Sequence, residues 1–358
     1  MWSACGFVSS FSCAGGAGAA AGRALSRGAA AAAAASGLKS WCAAKSGRGR
    51  EVVSSSGARV VRASASSSMA ASVDAFKVAL CQVAVGDDKQ KNLAHARQML
   101  RSAKERGAEL AVLPECFNSP YGTQFFREYA ETLPEVGEDA GAALSPSVQM
   151  LLETAQETGM YIVGGSVPEI TQDGKVYNTS LSVSPQGQLV AKHRKVHLFD
   201  IDVQGGIRFM ESDTLSPGQC MTTFDMANGV RVGVSICYDI RFPELSMLMA
   251  EAGCQLLCFP GAFNMTTGPA HWELLGRARA LDNQLYVAMC SPCRDVQASY
   301  HAWGHSSLFS PWGEVLATTE EKEDIVVGTV DLKRLESVRS SIPVRKQKRS
   351  DLYRLTKL

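Results

Sequence analysis

The chain has 358 residues, 46% apolar and 20% charged, with 36 Lys+Arg against 35 Asp+Glu. That composition excludes bulk disorder and a polycation that coats nucleic acid. The balance is uneven: residues 1–73 hold eight basic side chains and one acid, Glu51, leaving 28 basic and 34 acidic groups in the remainder, net −6.

Residues 1–72 are rich in Ala, Gly and Ser, include an alanine run from Ala29 to Ala35, and scatter Arg without acidic partners. This is the composition of an organellar transit peptide, and it lacks the compact Leu-rich region of a secretory signal. The expectation is import with removal near Val61-Arg62-Ala63-Ser64, in a style more chloroplast than mitochondrion. A low-complexity tail kept in the mature protein is the plainer alternative, and a start at Met69 would give a cytosolic form. No apolar stretch of membrane-spanning length occurs, so no membrane partner is expected. Of 11 Cys, three lie in the leader; several of the others sit in apolar runs, which suits reduced thiols.

From residue 73 to 358 one domain is expected, in which short apolar runs alternate with amphipathic stretches, an α/β pattern. Phe76–Cys81 reads as a strand. Leu93, Ala96, Met99, Leu100 and Ala103 fall at helical spacing before Gly107, and Glu109–Leu113 reads as a buried strand. The unit recurs as a helix from Ser145-Pro146 to Gly159 followed by Tyr161–Gly165, and again from Pro243 through Gly253 into Gln255–Phe259. Asp173-Gly174, Pro185-Gln186-Gly187 and Asn228-Gly229 are hairpin signals. At least ten strands are therefore expected, more than one open sheet usually holds, so two mixed sheets flanked by helices fit best. The run Arg345-Lys346-Gln347-Lys348-Arg349 is the only dense charge cluster; a solvated surface or subunit contact accounts for it better than nucleic acid does.

Four polar residues stand where chemistry is often delivered. Glu115 follows the apolar run Leu110–Pro114, at the carboxyl end of a strand where open α/β sheets bind ligands, although a strand-end Glu is often merely solvated. Cys237 ends Val232–Ile236 and opens a turn toward Pro243; backbone N–H groups there can make a thiol acidic, whereas a packed core Cys is the plain reading. Lys195, in Lys192-His193-Arg194-Lys195-Val196-His197, and Glu211, in Phe209-Met210-Glu211-Ser212, look individually like loop charges. Spacing alone does not show that the four converge.

Three segments, Leu113-Pro114-Glu115-Cys116-Phe117, His193 to Asp200, and Gly233-Val234-Ser235-Ile236-Cys237-Tyr238-Asp239-Ile240-Arg241-Phe242-Pro243-Glu244, resemble in order the signatures of the nitrilase (carbon–nitrogen hydrolase) superfamily. Phe259–Trp272 and Gln347–Tyr353 resemble its omega-amidase branch. The resemblance implies a four-layer αββα sandwich that often dimerises. It assigns Cys237 as nucleophile, Glu115 as general base, Lys195 as electrostatic partner, Glu211 as a second glutamate near them, and the Tyr238 backbone N–H as oxyanion donor. It further implies a small-molecule substrate, the terminal amide of a 2-oxo dicarboxylic acid such as 2-oxoglutaramate or 2-oxosuccinamate. Arg241 and Thr267 match the contacts to its carboxylate, and Tyr121 and Phe117 are expected along the pocket. No cofactor, metal, or nucleic-acid partner is implied, and a homodimer or higher homo-oligomer is.

Other readings stay open on the residues. Deaminated glutathione could be the substrate of the same chemistry, nitrile hydrolysis is more distant, and the fold could serve as a noncatalytic scaffold. A papain-like pair would need His271, His301 or His305 as base, none in a recognisable context for it. Zinc is disfavoured for Cys254 and Cys258, because side chains four apart in a strand stand roughly 13 Å from each other; Cys290 and Cys293 form the other close pair.

Overall fold

The computed structural model describes residues 74–137, 145–205 and 208–357; the expected transit peptide of residues 1–72, with the expected cut near Arg62 and Met69, lies outside the described residues. The first strand, β1 (Ala75–Gln82), is buried on both faces: Phe76, Val78 and Leu80 join one apolar cluster and Ala79 and Cys81 another. A period of two puts alternate side chains on opposite faces, so one strand feeds two cores. Helix α1 (Lys89–Glu105) starts where the Asp88 carboxylate accepts the Lys91 N–H at 3.1 Å. Its stripe Leu93, Ala96, Met99, Leu100 and Ala103 is buried as the spacing predicts.

After β2 (Leu110–Val112) and α2 (Thr123–Tyr129), helix α3 (Pro146–Thr158) begins with proline in its first turn. Ser145 makes no side-chain capping bond, so proline rather than the hydroxyl marks the start, and Gly159 closes the helix in the left-handed conformation. Then follow β3 (Tyr161–Val163), β4 (Val167–Ile170), β5 (Val176–Val183) and β6 (Leu189–Arg194). Asp173-Gly174 and Pro185–Gly187 turn the antiparallel pairs β4–β5 and β5–β6, as expected. A short ribbon, β7 (Asp200–Asp202) with β8 (Arg208–Met210), was not legible as strands. Asn228-Gly229 joins β9 (Thr222–Asp225) to β10 (Arg231–Val234). The remainder runs α4 (Pro243–Glu251), β11 (Leu256–Pro260), α5 (Gly268–Asn283), β12 (Tyr286–Cys290), β13 (Ser307–Phe309), β14 (Val315–Thr318), β15 (Asp324–Asp331) and α6 (Leu332–Ser341).

The strands form two large mixed sheets, in the orders β15-β1-β2-β3-β5-β4 with β6 on β5, and β14-β13-β12-β11-β10-β9. In each, three consecutive strands are parallel: β1, β2 and β3 in one, β10, β11 and β12 in the other. Between the sheets pack Val78, Leu80, Leu110 and Val112 against Val232, Val234, Leu256 and Ala288. On the outer face of the first sheet Ala111, Leu113 and Ile162 meet Leu93, Leu100, Val148 and Leu151 of α1 and α3. On that of the second, Leu257, Phe259 and Val287 meet Met249, Trp272 and Ala280 of α4 and α5. The layers are thus helix, sheet, sheet, helix, and each fully buried Leu, Val or Phe contributes about 1.5–3 kcal/mol. Gly233 permits the close approach of α4, since a Cβ there would lie 2.8 Å from Met249 Sδ. Among the described residues no helix is long and apolar enough to cross a membrane.

Candidate active site

Glu115 and Cys237 occupy equivalent places, just beyond the carboxyl ends of β2 and β10, the edge where parallel sheets present their ligands. The Glu115 turn is clamped by the chain leaving β3: Cys116 N–H donates to Ser166 Oγ at 3.0 Å, and Phe117 N–H to the Ser166 carbonyl at 3.2 Å. That contact needs Gly165, whose φ is +56° and where a Cβ would fall 2.1 Å from the Pro114 carbonyl oxygen. Cys237 opens a 3-10 turn, Cys237–Arg241, with φ +45°, a left-handed conformation that a non-glycine residue adopts at a cost of about 1–3 kcal/mol. Lys195 follows β6; its N–H donates to the Asn178 carbonyl and its own carbonyl accepts from Gly218 N–H. Glu211 follows the β7–β8 ribbon and begins a second 3-10 turn.

These elements bring the three charged side chains together. Lys195 Nζ donates to Glu115 Oε1 at 2.8 Å and to Glu211 Oε1 at 2.9 Å, with all three side chains withdrawn from solvent. Asn178 Nδ2 also donates to Glu115 Oε1, at 2.8 Å. Glu211 is held by the Tyr121 hydroxyl at 2.8 Å and the Phe199 N–H at 2.7 Å. Glu115 Oε2 is buried without a hydrogen-bond partner among the described residues. The Cys237 thiol interacts with the Glu115 carboxylate and accepts the Ala262 N–H at 3.5 Å.

Burial pushes the Glu115 carboxyl above its ordinary range; Lys195 opposes the rise, and the like charge of Glu211 adds to it. Burial disfavours charge on Lys195 too, but Glu115, Glu211 and Cys237 overcome it and the ammonium is held strongly protonated. The Cys237 thiol is raised well above its usual value by burial first and by Glu115 second. A dry pocket and a neighbouring carboxylate outweigh Lys195 and the single N–H at the sulfur. Such a thiol stays neutral until a base takes its proton.

Tyr121 and Tyr300, with ring centroids 4.6 Å apart, join Glu115, Cys116 and Ala262 in lining a cavity of about 340 Å³. Phe117, expected along this wall, is instead fully buried in the core with Leu113 and Val148, because the left-handed turn at Cys116 sends the chain back into the layer beneath. Arg241, the last residue of the Cys237 turn, and Thr267, which precedes α5, lie apart from that cavity wall and near one another through His271. Arg241 Nη1 contacts His271 Nδ1 at 3.2 Å, and the His271 N–H donates to the Thr267 carbonyl at 2.9 Å. The guanidinium lies 5.1 Å from the Phe263 ring, its Nε is buried without a partner, and no carboxylate pairs with it among the described residues. The Thr267 hydroxyl donates to Asn264 Oδ1 at 3.1 Å. The Tyr238 N–H sits second in its 3-10 turn, where no intrahelical acceptor exists.

Sequence reasoning missed Asn178, Ala262 and Tyr300. A polar residue in the middle of β5 was the available signal for Asn178; Tyr300, whose hydroxyl donates to the Ala262 carbonyl at 2.5 Å, sits in an irregular loop and gave none. Among the described residues no group of three or more His, Cys, Asp or Glu is arranged to hold a metal ion.

The carbon–nitrogen hydrolase family matches residues 77–340. Omega-amidase NIT2 of Homo sapiens is 54% identical over 278 residues, 78% of this chain and 96% of that protein, and its Danio rerio counterpart is 55% identical over the same shares. The crystal structure of Saccharomyces cerevisiae Nit3, a member of branch 10 of the nitrilase superfamily, has a TM-score of 0.70 at 44% identity, covering 77% of this chain and 97% of that one. With the family's extent and this fold coinciding, the chain belongs to the carbon–nitrogen hydrolase family.

Proposed function

We propose that the protein is an omega-amidase, which hydrolyses the terminal amide of 2-oxo dicarboxylic acid monoamides, 2-oxoglutaramate and 2-oxosuccinamate, to the 2-oxo acid and ammonia. The observation that carries the chemistry is the buried Lys195 bridging Glu115 and Glu211 beside the Cys237 thiol. The likeness to omega-amidases along nearly their whole length supports the substrate class.

In this reading Glu115 takes the thiol proton as Cys237 Sγ attacks the amide carbon. The carbonyl oxygen gains the electron pair and rests against the Lys195 ammonium and the Tyr238 N–H. Protonated Glu115 then delivers its proton to the amide nitrogen; the C–N bond breaks, ammonia departs and a thioester remains. In the second half Glu115 takes a proton from water, hydroxide attacks the thioester, and the thiolate leaves and recovers that proton. Glu211 keeps the lysine in place. Arg241 supplies the cation for the distal carboxylate, because its guanidinium lacks an internal carboxylate, and Thr267 lies at the same helix turn.

The test is ammonia release from 2-oxoglutaramate, with Cys237→Ala as control and deaminated glutathione in parallel. Turnover of the small amide that falls about 10⁴-fold or more in the variant is expected. Activity on deaminated glutathione alone would reassign the substrate, and near-normal hydrolysis by the variant would remove Cys237 from the mechanism. As an assembly the same reading has two copies pairing through α5, where Leu274 and Leu281 are 64% and 53% exposed. For destination it has chloroplast import directed by the Arg-containing, acid-poor leader.

A further inference from the structure

Asp239 lies two residues beyond the nucleophile, is 1% exposed, and has no part in the chemistry above. Its two carboxylate oxygens divide their bonds between two chain segments. Oδ2 accepts the N–H of Ile236, the residue before Cys237, at 3.0 Å, and faces His193 Nε2 at 3.1 Å. Oδ1 accepts the His197 N–H at 2.9 Å and faces His197 Nδ1 at 2.8 Å. His193 lies near the end of β6 and His197 in the bend that follows it, and the two histidines that flank Lys195 are both held by this one carboxylate. His193 is tied on its far side as well, its Nδ1 lying 3.0 Å from Thr222 Oγ1 in β9.

We propose that Asp239 is a positioning residue that braces the Cys237 turn against the segment His193–His197, and so keeps the thiol and the Lys195 ammonium in register for attack. The brace answers two needs visible in the fold. Cys237 holds a left-handed conformation that must be imposed from outside, and the bond to Ile236 N–H acts one residue away from it. Lys195 comes from the first sheet and Cys237 from the second, so their separation is not fixed by any shared strand ladder. Burial alone would raise the Asp239 carboxyl, yet the bonds from His193, His197 and Ile236 hold it well below the usual range, as a charge-assisted hub would be. The role is indirect, since the Lys195 ammonium is engaged by Glu115 and Glu211.

The inference rests on the thiol mechanism proposed above, and its test has one readout that needs no amide. Asp239→Asn is nearly isosteric, but an amide offers one acceptor and one donor group, so either Ile236 N–H or His197 N–H must face a donor. In full-length protein that still unfolds cooperatively, we expect kcat per titrated thiol to fall about 10²-fold, the cost of a misplacement near 1 Å. Alkylation of Cys237 by iodoacetamide at neutral pH should slow about tenfold, because a thiol raised by burial reacts only when Glu115 can take its proton. Adding His197→Ala to Asp239→Asn should change kcat little further, since both cut the same brace.

Fully additive losses, or kcat and alkylation both within about threefold of wild type in the folded variant, would overturn the proposal, as would faster alkylation. If Asp239→Asn does not fold, His197→Ala decides: its side chain is 27% exposed, a roughly fivefold fall in kcat is expected, and unchanged kcat overturns the brace. Wild-type protein inert to 2-oxoglutaramate but alkylated faster than Asp239→Asn would sink the substrate assignment and support the brace.

Discussion

The two cations of the proposed mechanism are housed in opposite ways. Lys195 is wholly buried and engaged by two carboxylates at 2.8 and 2.9 Å, so its charge is balanced before any substrate arrives. Arg241 is half-buried, rests on aromatic rings and a histidine, and has no carboxylate partner among the described residues. The first arrangement fixes geometry and protonation; the second leaves an unmatched charge that a ligand can complete. Reaction and recognition are therefore separable here, and substitutions should separate them.

Of the two cations, the larger effect is expected at the lysine. Lys195→Met would leave Glu115 and Glu211 facing each other in a dry site, and breaking a buried pair by removing one partner costs about 3–5 kcal/mol. Turnover of 2-oxoglutaramate should fall by about 10²–10³-fold or more through loss of oxyanion stabilisation. Urea unfolding and steady-state kinetics check both; a variant as stable as wild type would show that the cluster does not depend on its cation. Arg241→Lys should behave differently. It keeps the charge and loses the planar fork, so kcat/KM should drop about 10- to 100-fold, chiefly through KM, while stability stays within about 0.5 kcal/mol. A loss confined to kcat would contradict the division between the two cations.

The difference between the two regions was only partly legible in the sequence. Helix–strand units and hairpins could be read because their signals are local: Leu93 to Ala103 at helical spacing, Pro146 and Gly159 at the ends of α3, and Gly174, Gly187 and Gly229 at turns. Glu115 and Cys237 stood out as polar residues closing apolar runs. Their meeting with Lys195 and Glu211 was legible only through the family resemblance and not from spacing, because it depends on how the sheets pack and on the short β7–β8 ribbon, whose three-residue strands carry almost no periodic signal. Phe117 was misplaced because an aromatic beside a candidate base reads as a pocket wall until the left-handed turn at Cys116 is known. A strand-to-helix turn shows where N–H donors can reach the Cys237 thiol, but the burial that outweighs them is a tertiary property.

The finest test concerns pH. In the proposed mechanism Glu115 must be ionised to accept the thiol proton, and its carboxyl is raised by burial and by Glu211. The acid limb of kcat/KM should accordingly lie above the ordinary glutamate value of about 4.3, with activity lost as pH falls through it. Glu211→Gln removes the like charge and leaves the Lys195 ammonium to Glu115 alone, so both changes favour the ionised form. The limb should move to lower pH by about one unit, even though kcat itself falls as the lysine loses an anchor. The basic side of the profile should not report Lys195, which its two carboxylates keep protonated well past its usual range. A limb that stays in place would mean that desolvation by itself sets the Glu115 carboxyl, and that Glu211 acts only as a tether for the lysine.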